Sequence, residues 1–169
     1  MHPRLTLPAL LLLAALPGRA AAAEAAIPDA LVAAGEKAVL TLHAEGAQVY
    51  ECKAGSDGKL AWTFREPIAT LFENGKTIGR HYAGPSWEHQ DGSIVGGRVV
   101  GTAMGATDND IPWLKLAVVS HRGGQGVLSD ITTVQRINTA GGKLDGACEA
   151  AGQYRSVAYA ADYVFLRKE

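Results

Sequence analysis

Asp57-Gly58, Asn74-Gly75 and Asp91-Gly92 punctuate the middle of this chain at intervals of 17 residues. Each pair suits the positive φ of a tight hairpin reversal. The stretches between them do not match one another, so they define a meander rather than a repeat. Strand-prone runs flank these turns. They cover residues 38–43 and 48–53 on either side of Ala44-Glu45-Gly46, then 60–65, 68–72, 77–82, 86–89 and 93–100. Pro67, with no N–H to give, is expected to interrupt the ladder between the runs 60–65 and 68–72. A loop over 105–112 leads to further runs at 113–121, 127–138 and 154–166. Several runs alternate, as in Val49 and Glu51 against Tyr50 and Cys52, which marks strands with one buried face. No apolar stripe of three helical turns follows Gly35. The expected fold is all-β: an antiparallel β-sandwich or a partly closed β-barrel built from hairpins, preceded by a short N-terminal signal helix.

Residues 1–23 read as a secretory signal peptide. His2 and Arg4 precede an apolar core over 5–16, Pro17-Gly18 break it, and Ala20 to Ala23 offer a small-residue cleavage site. The core is shorter than the roughly 20 residues a membrane-spanning helix needs. Cleavage after Ala23, or else after Ala25, predicts a periplasmic or secreted protein without a stable membrane anchor. An Ala-rich lead-in over 24–37, flexible or partly helical, then precedes a single β domain over 38–169. Losing Arg4 and Arg19 moves the formal net charge from −1 to −3. Basic residues are scattered singly, so nucleic acid is not an expected partner.

Cys52 and Cys148 are the only cysteines. In an oxidising compartment an even pair is most simply a disulfide, the alternative being two free buried thiols. Neither has a histidine nearby in sequence, which argues against a catalytic thiol.

The ordered segments form a recognisable set. They are 46–52 (GAQVYEC), 62–71 (WTFREPIATL), 79–88 (GRHYAGPSWE), 91–93 (DGS), 111–114 (IPWL), 126–129 (GVLS), 135–139 (QRINT) with Gly141-Gly142, and 159–165 (YAADYVF). Together they resemble the domain-of-unknown-function 3455 family of exported bacterial and fungal proteins, over about residues 46–165. The resemblance implies one secreted domain and brings no reaction, substrate or catalytic set. Some fungal relatives carry dehydrogenase labels, but no strand–GxGxxG–helix unit is present here, and no cofactor is expected.

Arg80, His81, Tyr82, Trp87, Glu88 and His89 crowd one short segment and are the candidate ligand-binding residues, together with Arg122 on the glycine-rich stretch 121–126. The restricted Pro85 beside the permissive Gly84 is expected to hold Trp87 partly exposed at a loop mouth, within reach of His81 or Glu88. A small molecule or an envelope component would bind there. Trp62 is expected in the core and Trp113 at a strand start on the rim. Metal binding by His81, His89, Asp91 and His121 is chemically suitable but lacks any HExxH or HxH spacing, so no metal site is assigned. The alternatives are a secreted hydrolase using His81 or His89 with Glu88, with Ser86 or Ser120 as nucleophile, and a structural or interaction module without a pocket. Ser86 lacks the G-x-S-x-G elbow.

Overall fold

A computed structural model describes residues 26–169; the signal segment and the cleavage site lie outside the described residues. One 3-10 turn, Asp29–Leu31, precedes eight antiparallel strands. These are β1 (Glu36–Ala54), β2 (Leu60–Glu73), β3 (Lys76–Tyr82), β4 (Ser86–His89), β5 (Ser93–Ala103), β6 (Trp113–Gly123), β7 (Thr133–Gly141) and β8 (Tyr154–Lys168). Each pairs with its sequence neighbour, and β8 returns to pair with β1 from Glu36 to Glu51, closing the sheet into a ring. The ring is not a regular barrel. β4 is very short, β6 and β7 pair only from Leu114 to Ala117, and several ladders carry bulges. No helix among the described residues is long and apolar enough to cross a membrane.

Strand alternation decides what faces inward. On β1, Leu42, Ala44, Gln48, Tyr50 and Cys52 are buried while His43, Glu45 and Lys53 face out. On β8, Tyr159, Ala161, Tyr163 and Phe165 supply the facing wall. The interior falls into two halves. One is packed solid with Leu42, Leu71, Val95 and Phe165 and closed by Leu128 and Ile131 from the β6–β7 loop. The other is hollow.

The three Asx-Gly reversals fall where the turn chemistry places them, with positive φ at Gly58, Asn74, Gly75 and Gly92. Other expectations need correction. Ala44-Glu45-Gly46 is not a turn but the middle of one long strand. Gly46 is there because β2 crosses so closely that a Cβ would strike the Ile68 carbonyl. Pro67 does not break β2. It pairs with Gln48 on one side, beyond the point where β3 begins to pair on the other, so its missing N–H is never asked for. The run 127–138 is strand only from Thr133. Its first residues form the plug, held by Val127 N–H on Asp91 Oδ2 (2.8 Å) and Leu128 N–H on Ser93 Oγ (3.2 Å). Trp62 is partly exposed rather than core, because it lies where β2 runs past the ring interior, beside Arg155. Trp113 does begin β6.

The lead-in is docked from its first described turns. Leu31 is fully buried against the outside of the ring, its carbonyl accepting from Gln135 Nε2 at 2.8 Å, and Lys115 Nζ donates to Val32 O at 2.9 Å. Cys52 and Cys148 form a disulfide, with Cα atoms 5.9 Å apart. It ties β1 to the segment leading into β8, which also donates Gly152 N–H to Cys52 O and accepts Cys52 N–H at Gln153 O.

Candidate functional site

The segment 80–91 contains no single site, because β3 and β4 divide it between the two faces of the sheet. Arg80 lies opposite Glu88, and His81 opposite Trp87. The first pair faces out. Glu88 Oε2 accepts from Arg80 Nη2 (2.8 Å) and Nε (3.1 Å) and from the Tyr82 hydroxyl (3.3 Å). This is a surface cluster of the kind that contributes little to stability. Arg122 approaches the same side of the sheet and donates from Nη2 to Ser86 Oγ at 3.1 Å. His89 contacts Asp91, whose carboxylate also accepts Ser93 N–H and Oγ–H (2.9 and 2.6 Å) and Val127 N–H. Burial works against the Asp91 charge, but these hydrogen bonds outweigh it and hold its carboxyl well below the usual carboxylate range. Asp91 is therefore the clasp between the β4–β5 turn and the plug.

The second pair faces in. Trp87 is 1 % exposed, not at a loop mouth, and stacks on His81 with ring centroids 4.6 Å apart and planes 11° from parallel. Tyr163 packs on both rings, at 4.9 Å from His81 and 5.3 Å from Trp87. Gly97 makes room for the indole: a Cβ there would come within 3.1 Å of it. The turn at Gly84-Pro85 bends as expected. The indole on the strand after it, however, occupies the inward parity of β4, and alternation overrides the loop. Of the sequence-predicted residues, His81 and Trp87 meet; Arg80, Tyr82 and Glu88 form a separate outer group.

His81 donates from Nδ1 to the Ser86 carbonyl at 2.9 Å, which leaves Nε2 as the acceptor nitrogen of a neutral ring. Burial pushes its pKa down to about 3; the Ser86 bond opposes the shift and the Arg136 charge reinforces it. The ring is bonded to the main chain of Ser86, while the Ser86 hydroxyl lies with Arg122 on the other face, so no Ser–His hydrogen bond forms there. No group of three or more His, Cys, Asp or Glu side chains among the described residues is placed to hold a metal ion.

This burial has a pH consequence. Between about 6.5 and about 3 the unfolded chain binds a proton at His81 that the folded chain does not. The stabilisation from a neutral His81 is complete above pH 6.5 and is lost as the pH falls, at up to about 1.4 kcal/mol per pH unit. Urea unfolding at pH 7.5 and pH 4.5 is expected to show the wild type losing about 2–3 kcal/mol more than His81→Gln. Equal losses would show that His81 titrates normally in the folded state.

His81, Trp87 and Tyr163 form the floor of a cavity of about 540 Å³ in the hollow half of the ring. Pro67, Ile111, Leu114 and Leu116 make its apolar walls, with the half-exposed Phe64 and Val99 toward the opening. Its polar groups are few: Gln48, Tyr50, His81, Arg65, Arg136 and Tyr163. Tyr50 donates to Gly142 O at 2.8 Å, and the Tyr163 hydroxyl meets that of Tyr159 at 3.3 Å. Burial raises the pKa of both Tyr159 and Tyr163, so the phenols stay neutral. Sequence reading missed Gln48, Tyr50, Arg136 and Tyr163 as site residues. The available signal was parity: Gln48 shares the inward face of β1 with Leu42, and Arg136 that of β7 with Val134.

Size, apolar lining and a handful of placed polar groups are the attributes of a small-molecule pocket, and the mouth of a β-ring is a usual place for one. Fold and site thus define a small disulfide-bonded all-β domain with a pocket that opens to solvent at one side of the ring. The chain belongs to the family described as protein of unknown function (DUF3455), which it matches over residues 33–167. No curated protein and no solved structure matches it.

Proposed function

We propose that this is an exported β-domain that binds a small, largely apolar molecule inside the hollow half of the ring. The observation that carries the reading is the cavity itself. About 540 Å³ lies against His81, Trp87 and Tyr163, beside a core cluster that the same strands fill with Leu42, Leu71, Val95 and Phe165. Interiors of this size normally fill with side chains, and here residues such as Gln48 and Arg136 stand where aliphatic groups would close the space. The disulfide and the signal-like residues 1–23 support work in the periplasm or outside the cell. An envelope component with an apolar portion belongs to the same ligand class.

A thermal-shift screen of small apolar compounds tests this. Ligands are expected to raise Tm of the wild type and to lose their effect in Leu114→Trp, whose indole occupies the cavity. Shifts that persist in Leu114→Trp would put binding elsewhere on the protein.

A further inference from the structure

Hydrogen-bonding capacity around the cavity is one-sided. Gln48 and Trp87, 2 % and 1 % exposed, both line it, and Gln48 Nε2 and Trp87 Nε1 have no hydrogen-bond partner. Both atoms are donors. The other orphaned buried side-chain atoms among the described residues, on Glu36 and Trp113, belong to residues outside the lining. The Tyr50 hydroxyl spends its proton on Gly142 O and the Tyr163 hydroxyl shares one bond with Tyr159, so these oxygens and His81 Nε2 are the side-chain acceptors nearby, and none of them meets the two orphaned donors.

Charge is one-sided as well. No aspartate or glutamate lines the cavity. Arg65, on its rim, is paired with Glu66 at 3.2 Å and lies over the Tyr154 ring. Arg136 has no carboxylate within ion-pair distance among the described residues; its Nε and Nη2 both donate to the Pro112 carbonyl. It lines the cavity and lies opposite Tyr163 in the β7–β8 ladder, and its charge acts on Tyr50, His81, Tyr159 and Tyr163. Buried donors without acceptors are costly, and a cation beside a low-dielectric wall favours an anion. A ligand that brings acceptors and one negative charge relieves both; an amine relieves neither.

We propose that the cavity takes an apolar monocarboxylate, its carboxylate toward Arg136 and the unpartnered donors of Gln48 and Trp87, its hydrocarbon among Val99, Leu114 and Leu116. The proposal rests on the small-molecule reading above and adds the chemical class of the ligand. Charge-assisted bonds to a carboxylate are stronger than those to a neutral hydroxyl.

Isothermal titration of the wild type at pH 7.5 with octanoate, 1-octanol and octylamine, all monomeric in solution, tests the class. Octanoate is expected to bind at least about tenfold more tightly than octanol, and octylamine more weakly than octanol. Arg136→Gln is expected to weaken octanoate about tenfold or more and to leave octanol within about threefold. Equal affinity of the wild type for octanoate and octanol, or tighter binding of octylamine, overturns the carboxylate assignment while leaving a pocket that binds apolar molecules. Binding of none of the three overturns the pocket reading itself. Should Arg136→Gln fail to fold, the wild-type order of the three probes decides alone.

Discussion

Trp87→Ala is expected to lower the unfolding free energy by about 3–5 kcal/mol, the usual cost of emptying a buried aromatic site. The indole is fully enclosed, stacked on His81, and meets Tyr163 and Phe165 edge-on, with the Phe165 centroid 6.3 Å away. It stands between the packed half of the ring and the cavity, so its loss removes contacts on both sides. The neighbours cannot collapse into the gap, because the strands that carry them are fixed by the closed ladder. Urea unfolding of wild type and variant measures the difference. A loss below about 1 kcal/mol would put the ring outside the core. The same substitution is expected to abolish ligand binding, since it removes the cavity floor. Stability and function are therefore coupled at this residue, contrary to the expectation of an exposed ring that could be cut away without cost.

Replacing Cys52 and Cys148 with alanine is expected to cost about 4–5 kcal/mol by the chain-entropy estimate for a loop of this length. The bridge spans 96 residues, so the oxidised unfolded chain is far more restricted than the reduced one. The folded state should change little. Gly152 and Gln153 still bond Cys52 through the main chain, Trp62 N–H still meets Gly146 O at 3.1 Å, and Ala147 still bridges Ala61. A shift in unfolding midpoint with preserved ligand affinity is the expected pattern. A free-thiol titration of the denatured, unreduced wild type should find no reactive group. Two reactive thiols would show the bridge to be absent.

Strand content, the antiparallel pairing and the three Asx-Gly reversals were legible from residue types, because turn chemistry and period-two alternation act within a few residues. The cysteine pair was legible for the same kind of reason, since an even count behind a signal-like N-terminal segment leaves few options. Local signals misled where their meaning depended on a distant strand. Gly46 resembles a turn residue until β2 is seen crossing it, and Pro67 resembles a break until its outer edge is seen to have no partner. The candidate site split for the same reason. Alternation put His81 and Trp87 on one face and Arg80, Tyr82 and Glu88 on the other, although all five are near neighbours in sequence. Gln48, Arg136 and Tyr163 come from strands far apart in the chain. They become one cavity only because β8 pairs back onto β1 and turns every inward residue toward a common centre. Short-range chemistry settled each strand and turn. Ring closure, a long-range event, settled which side chains share an interior and where a pocket remains in it.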